Sequence, residues 1–435
     1  MTTQPERLGL VRVLSYAAPG LAIKALTLPL IAYLPPLYAS LPGLSLAAVG
    51  AIFMLARLWD IVTDPLAGAL MDRSRPPLGR RKFWIVLATP ALMAALWPLL
   101  NPPETADTVY LAGLLFFFYL AWTLLTIAHA AWPADLTPDP AGRTQLIAWR
   151  EWAGVIGMIL VLVAPITLLG SGAPLDDQLG VMAGLLLLII PLTILPSLIL
   201  LPQGLAAEQK EKPKLSGAWR LIRQSPSLRR LLAADLLSGG GYAANSATSF
   251  FIMSHYLSVG DQYSSIMLCF MLAMIAGIPA FLKLSLWKGP HASFALAMIG
   301  AAVASVGFAF APADNVVAAM MLNAALGFCT GGYQFNLHTE MVRLADNDRK
   351  QSGQDRVSLH LALLAMTNKL GYALAVGIVY ILLEWFGGTR EGSAELPSVA
   401  LVGLGLVAPA AMFGCAAWVL TKSSIRHAKH ETAFE

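Results

Sequence analysis

Two long stretches of this sequence, residues 181–201 and 295–311, are apolar and contain no charged residue. A helix needs roughly 17 to 25 such residues to cross a hydrocarbon core of about 30 Å. Inside that core no water satisfies the backbone, so a chain crosses it only as a helix or as part of a closed barrel. Barrel strands alternate apolar and polar residues, and these stretches do not alternate. The sequence therefore predicts membrane-spanning helices.

Composition extends this prediction to the whole chain. Of its 435 residues, 57% are hydrophobic and 12% are charged, whereas a soluble domain carries about 25% charged residues. The fold class that we predict is an all-α integral membrane protein with twelve transmembrane helices. The predicted spans are 10–38, 45–71, 83–100, 107–133, 145–170, 179–201, 229–257, 261–286, 291–312, 315–339, 356–386 and 397–421.

The basic residues indicate the orientation of the chain. If the N-terminus is cytoplasmic, all but four of the 29 Lys and Arg residues fall in cytoplasmic segments and helix ends. Lys24, Arg57 and Lys369 lie inside spans, and Arg390 alone lies on the opposite side. This asymmetry follows the positive-inside rule. It predicts a multi-pass protein of the inner cell membrane with both termini in the cytoplasm, and it indicates contact with anionic lipid headgroups and not with nucleic acid.

A long polar interruption divides the chain into two blocks of six spans. We predict an N-terminal six-helix bundle over 1–201 that holds a cation site, a cytoplasmic linker over 202–228, a C-terminal six-helix bundle over 229–421 and a cytoplasmic tail over 422–435. Two such repeats around a central cavity are typical of secondary transporters.

The second span carries three charged residues, Arg57, Asp60 and Asp64. Their spacing of three and four residues places them on one helix face. Each charge inside hydrocarbon costs at least about 2.5 kcal/mol, so such residues usually mark function. Two carboxylates four residues apart repel each other unless a cation lies beside them, and their oxygens suit sodium or a shared proton. The alternative is that Arg57 neutralises one aspartate in a packing ion pair.

The segment after this span resembles the loop between helices two and three of the major facilitator superfamily. Gly68 is followed by Asp72 and Arg73, and then by the basic cluster 79–82. We expect Asp72 to cap or pair at a helix end and the basic cluster to meet cytoplasmic headgroups.

The second span itself resembles the cation-site helix of the glycoside–pentoside–hexuronide:cation symporters, the family of the melibiose permease. Arg57 and Asp60 followed by Asp64 and Pro65 carry this resemblance. Further matches lie at 126–129, 143–151 and 353–371. The resemblance implies a major facilitator fold with two six-helix halves.

The resemblance also implies roles for individual residues. The coupling cation, Na⁺, Li⁺ or H⁺, is expected at Asp60, Asp64 and Thr126. The residues expected at the solute site are Lys24, His129, Arg150, Asn245 and Lys369. Those expected in coupling or gating are Arg57, Asp72, Arg73 and Glu151, although the register also permits Glu151 to take the sugar-site position of Arg150.

Two positions depart from the family pattern. Lys24 and His129 stand where the melibiose permease has aspartates that contact sugar hydroxyls. A lysine only donates hydrogen bonds, so with Arg150 these residues favour an acidic solute such as a hexuronide. The alternative is that Lys24 pairs with Asp60 or Asp64. His129 is otherwise a proton relay or a hydrogen-bonded interior histidine.

These expectations combine into cation-coupled symport of a sugar or acidic sugar derivative by alternating access. No phosphate-binding loop, zinc motif or nucleophile elbow was found, so we expect no enzymatic activity and no cofactor besides the coupling Na⁺ or H⁺. The expected partners are the solute, the cation and membrane lipid. The alternatives are a lysolipid or amphiphile carrier, a non-transporting membrane sensor or assembly factor on the same fold, and a proton-coupled drug exporter.

Overall fold

A computed structural model describes residues 9–74, 76–137, 139–170, 172–202, 216–352, 356–387 and 398–431. Most of the predicted linker and the end of the predicted tail, residues 203–215 and 432–435, lie outside the described residues. Within the described part of the chain every regular element is helical, which confirms the all-α prediction.

The helices follow the predicted spans closely. In the first half they are α1 (Leu10–Ala25), a π-helical turn (Pro29–Tyr33), α2 (Leu34–Ala39), α3 (Leu46–Arg73), α4 (Arg80–Leu100), α5 (Thr108–Leu136), α6 (Pro140–Leu169) and α7 (Leu175–Leu200). In the second half they are α8 (Ser216–Gln224), α9 (Pro226–Phe251) with a π-helical turn (Ile252–Tyr256), α10 (Tyr263–Lys288), α11 (Pro290–Gly307), α12 (Val316–Ser352), α13 (Val357–Gly387), α14 (Ser398–Val402), a π-helical turn (Gly403–Val407) and α15 (Ala408–Glu431).

Eleven helical segments in the described residues are long and apolar enough to cross a membrane, one fewer than the twelve predicted. The predicted span 229–257 corresponds to α9, which does not meet the same standard of apolarity. Its middle is rich in glycine, alanine, serine and asparagine, and it carries Arg229, Arg230 and Asp235. Most of its residues are buried, so neighbouring helices and not lipid cover its surface. A helix in that position needs small residues more than apolar ones.

The chain divides into two compact units, residues 1–44 with 58–209, and residues 45–57 with 210–435. In the first unit α1 packs on α6 and α7, and α4 packs on α5 and α7. In the second unit α9 packs on α13 and α15, α10 on α12, and α11 on α12 and α15. Helix α3 contributes to both, because its residues through Arg57 belong to the second unit.

Glycines bring α1 and α6 close together in the first unit. A Cβ atom on Gly157 would overlap the carbonyl oxygen of Leu21, and one on Gly154 would lie 2.6 Å from Cδ of Lys24. On the other helix, a Cβ on Gly20 would lie 2.7 Å from the backbone oxygen of Arg150. Small residues of this kind let membrane helices approach closely. The approach places Lys24 beside the start of the apolar part of α6.

This packing gives a stability prediction. Gly157→Ala is expected to destabilise the folded protein by about 1–3 kcal/mol, because the new methyl group meets backbone that cannot move aside. Gly184→Ala on α7 is the matched control, since a Cβ there has no heavy atom within 4 Å. Thermal unfolding of the purified protein in detergent should show a lower midpoint for the first variant alone. Equal midpoints for the two variants would contradict the close α1–α6 contact.

Candidate functional site

Two acidic residues of α3, Asp60 and Asp64, converge on one hydroxyl group of α5. Asp60 is 6% exposed and Asp64 is partly buried. The Oγ1 of Thr123 lies 2.6 Å from Oδ1 of Asp60 and 3.2 Å from Oδ1 of Asp64. A threonine hydroxyl has one hydrogen and donates fully to one acceptor at a time. The structure therefore gathers two carboxylate oxygens and one hydroxyl oxygen into one small polar group.

Thr123 is a residue that the sequence analysis missed. The family resemblance assigned this role to Thr126, which lies one helical turn later on the same face of α5. The Oγ1 of Thr126 is buried and has no hydrogen-bond partner among the described residues. The spacing of three residues was the available signal, but which of the two hydroxyls meets the acids depends on how α5 is rotated against α3.

The two threonines give a matched pair for a prediction about cation affinity. Thr123→Val removes the hydroxyl that lies beside both acids and is expected to weaken cation-dependent solute binding by about tenfold or more, since a hydrogen bond to a charged group contributes about 1.5–3 kcal/mol. Thr126→Val is expected to have the smaller effect. The measurement is the cation concentration that half-saturates solute binding in each variant. A larger loss at Thr126 would favour the assignment made by resemblance.

A second polar cluster in the first unit joins α1 to α6. The ammonium group of Lys24 forms an ion pair with Oε2 of Glu151. The guanidinium of Arg150 donates two hydrogen bonds to Oε1 of the same carboxylate. One comes from a terminal nitrogen at 2.7 Å and the other from Nε at 3.2 Å. The ion pair of Lys24 is thus with Glu151 and not, as the alternative held, with Asp60 or Asp64. One carboxylate between two cations leaves the cluster with a net charge of +1.

This cluster is open to a ligand. The side chains of Lys24 and Glu151 are 42% and 41% exposed, in contrast with the buried Asp60. The family resemblance implied either a coupling or gating role for Glu151 or the sugar-site position. In the structure Glu151 lies between Lys24 and Arg150, the two basic residues expected at the solute site. A group that approaches the cluster meets more positive than negative charge.

His129 lies in the packed interior of the first unit. It is 1% exposed, and its ring stacks on Tyr16 with ring centres 4.6 Å apart. Its Nε2 lies 2.9 Å from the backbone oxygen of Tyr16, which can only accept, so Nε2 carries the hydrogen. The Tyr16 hydroxyl in turn donates to the backbone oxygen of His129 over 3.2 Å. Of the roles that the sequence left open for His129, this geometry matches that of a hydrogen-bonded interior histidine.

The basic cluster after α3 makes contacts within the protein, and of its members Arg81 lies buried, away from headgroups. Arg81 is 6% exposed, and its Nε lies 3.0 Å from Oδ2 of Asp135. Arg80 lies 3.4 Å from the other oxygen of Asp135, and Lys82 donates to the backbone oxygen of Leu198. Asp135, at the end of α5, is itself buried and supplies the counter-charge to Arg80 and Arg81, while contact of the cluster with headgroups stays a prediction.

The two coupling residues that precede this cluster occupy the last turn of α3. Asp72 lies there, but its side chain is outside the described part of the structure. Arg73 is exposed.

Three predicted site residues belong to the second unit. Asn245 on α9 is buried, and its amide lies 3.5 Å from Oγ of Ser305 and 3.4 Å from the backbone oxygen of Gly405. Lys369 lies on α13 and is partly exposed. Arg57 interacts electrostatically with Tyr372 of α13. The first unit therefore holds Asp60, Asp64 and the Lys24 cluster, and the second holds Asn245, Lys369 and Arg57.

This chain is similar to known proteins in both sequence and fold. The family described as "MFS/sugar transport protein" matches residues 15–425, which is nearly the whole chain. The chain belongs to this family. It is a multi-pass membrane protein of a transporter family and not of an enzyme family, and the resemblance to glycoside and cation symporters is confirmed.

Individual relatives of this transporter agree with the family. It is 30% identical to the "Putative glycoside/cation symporter YagG" of Escherichia coli (strain K12) over 160 residues, which are 35% of this chain and 34% of that protein. It is 29% identical to a "Putative sulfoquinovose importer" of Salmonella typhimurium (strain LT2) over 150 residues, which are 33% of this chain and 32% of that protein. The chain thus matches about a third of the length of each of these two proteins.

The fold of this transporter also matches a solved structure. The crystal structure of the nucleoside transporter NupG aligns with a TM-score of 0.70 over 95% of this chain and 99% of that chain, at 15% sequence identity. At this identity the likeness shows the fold alone. The predicted major facilitator fold is confirmed.

Proposed function

We propose that this transporter is a cation-coupled symporter that imports an acidic sugar derivative across the inner cell membrane by alternating access, with both termini in the cytoplasm. The observation that carries the proposal is the convergence of Asp60 and Asp64 on the Thr123 hydroxyl. The family and a relative named as a glycoside/cation symporter support the class of activity.

The coupling cation binds at Asp60, Asp64 and Thr123. Two unit charges 4 Å apart interact with about 4 kcal/mol at an effective dielectric constant of 20, so a bound cation offsets a repulsion of that order between the carboxylates. Carboxylate and hydroxyl oxygens are ligands for a hard cation. A proton shared by the two acids has the same effect on their repulsion. Sodium and the proton are both candidates, and the cation is cargo of the transporter.

The solute binds through the cluster of Lys24, Arg150 and Glu151. Its net charge of +1 and its exposed side chains suit a carboxylate or sulfonate group, because guanidinium and ammonium groups bind such anions strongly. The relative named as a putative sulfoquinovose importer supports a sugar with an anionic group. A neutral glycoside would gain less here, since Lys24 and Arg150 offer hydrogen-bond donors and no acceptor.

Coupling requires that each ligand raise the affinity for the other. A cation at the acids lowers the negative charge of the first unit. An anionic solute at the Lys24 cluster then approaches a more positive unit, and by linkage the bound solute strengthens cation binding by the same factor.

Thermal unfolding of the purified protein tests the proposal. The panel contains a sulfonated sugar, a hexuronate, the matching neutral sugars and a lysolipid, each with sodium or choline and at two pH values. A ligand that binds only the folded state raises the midpoint. The acidic sugars should stabilise the wild type most, more so with the coupling cation, and the Asp64→Asn variant should lose that cation dependence. Stronger stabilisation by the lysolipid would favour the amphiphile carrier.

A further inference from the structure

A buried carboxyl group in the second unit has no part in the cation or solute sites. Asp235 lies on α9 and is 2% exposed. Within the described residues no basic side chain forms an ion pair with Asp235, and the groups that interact with it are the neutral side chains of Tyr333, Asn368 and Tyr372.

The hydrogen bonds to Asp235 are uneven. The Tyr333 hydroxyl and the Asn368 amide each donate to Oδ1 over 3.3 Å. The same amide lies 2.6 Å from the Tyr333 hydroxyl oxygen. Oδ2 is buried and has no hydrogen-bond partner among the described residues. In an ionised carboxylate the two oxygens are equivalent and both need donors. In a neutral acid one oxygen is a carbonyl that accepts and the other carries the proton. Either form leaves Oδ2 without a partner, but a buried neutral hydroxyl without a partner costs far less than a buried charge, so the pattern favours the neutral acid.

The surrounding helices are built around this group. Gly239 lies one turn after Asp235 on the same helix, and a Cβ there would lie 3.2 Å from the Asn368 amide nitrogen and 3.3 Å from the Tyr333 hydroxyl. Its missing side chain gives both donors room to reach Asp235. The next two glycines are covered by apolar side chains of α15, Met412 and Phe413. Because Asp235 itself is 2% exposed, its pocket is closed as well as neutral.

Within the described residues, the charged side chains Arg57 on α3, Arg229 and Arg230 on α9 and Lys369 on α13 are not among the groups that interact with Asp235. Arg57 of α3 interacts with Tyr372 and not with the carboxyl group. On α9 itself, Arg229 and Arg230 lie more than one helical turn earlier, and Arg229 donates to the backbone oxygen of Arg223. Burial of an unpaired ionised carboxylate costs far more than burial of the neutral acid.

We propose that Asp235 is a proton-binding site in the second unit, with the proton on Oδ2 and the carbonyl oxygen Oδ1 held by Tyr333 and Asn368. This goes beyond the proposed function, because cation coupling at Asp60 and Asp64 does not require a second ionisable group. With the proton bound, α9 packs without a buried charge. Loss of the proton puts a charge into a closed pocket, so transport depends on pH at this site even where sodium is the coupling ion.

Infrared difference spectroscopy of the purified protein without solute tests the proposal. A protonated carboxyl group has a carbonyl stretching band that a carboxylate lacks. At neutral pH we expect Asp235→Asn to remove one such band from the wild-type spectrum. Asp176→Asn, in the exposed first turn of α7, should remove none. Asp64→Asn should keep the Asp235 band, so failure of the symport proposal and failure of this one are distinguishable.

A second variant keeps the test decisive if Asp235→Asn does not fold. Tyr333→Phe removes one donor from Oδ1 and should shift the carbonyl band to higher frequency without removing it. The proposal is overturned if the band region of Asp235→Asn equals that of the wild type. It is equally overturned if Tyr333→Phe leaves every protonated-carboxyl band in place and unshifted.

Discussion

Vesicles that contain the Asp64→Asn variant are expected to equilibrate the solute across the membrane but to lose accumulation driven by a cation gradient. Asparagine keeps the size of the side chain and removes the charge that holds the cation beside Asp60 and Thr123. Because coupling energies between two ligand sites are typically about 1–3 kcal/mol, we expect accumulation to fall between about 5- and 150-fold. Uptake of labelled solute under an imposed sodium or proton gradient measures this.

The control for this variant is Asp176→Asn, which changes an exposed carboxylate of the same unit. It should accumulate solute like the wild type. Asp60→Asn should resemble Asp64→Asn, because Thr123 contacts both carboxylates. Wild-type accumulation by either of the two site variants would show that the cation binds elsewhere.

The second large effect is expected at the Lys24 cluster, where substitution changes the preference for solute charge. Lys24→Gln leaves Arg150 and Glu151 as a neutral pair, so affinity for an acidic sugar should fall about tenfold or more while affinity for the matching neutral sugar changes little. A lost charge-assisted hydrogen bond of about 1.5–3 kcal/mol corresponds to this range. Competition binding with the two sugars measures it.

A double variant tests the same charge balance in the opposite direction. Lys24→Gln with Glu151→Gln restores a net charge of +1 through Arg150 alone and should recover much of the lost affinity for the acidic sugar. Arg12→Gln, an exposed position on the same helix as Lys24, is the control and should change neither affinity. If the double variant binds the acidic sugar more weakly than Lys24→Gln does, charge at this cluster does not select the solute.

Apolar runs predicted the membrane helices well because lipid forces a simple pattern on the residues that face it. The pattern weakens where a helix faces other helices. The span that became α9 was predicted from length and position, but it is covered by protein and is rich in small residues. The buried Asp235 lies inside this span, and the prediction treated the span as one membrane helix without a functional charge.

The sequence predicted which charged residues form the candidate site but not which residues they contact. The spacing in α3 brought Asp60 and Asp64 to one face, since helical geometry is local. The partner of Lys24 depends instead on the close approach of α1 and α6, which Gly154 and Gly157 create. Such a contact is set by tertiary packing, so sequence spacing left the partner of Lys24 open. Which threonine of α5 lies beside the acids likewise depends on tertiary packing, and the assignment of Thr126 to the cation site stays a prediction.

The most direct measurement of the central claim is cation entry evoked by solute in vesicles without any imposed gradient. An acidic sugar added outside wild-type vesicles should draw in the coupling cation, seen as sodium uptake or as an alkaline shift of the external medium, and Asp64→Asn vesicles should show neither. Solute that enters wild-type vesicles with no movement of sodium or protons would contradict a cation site at Asp60, Asp64 and Thr123.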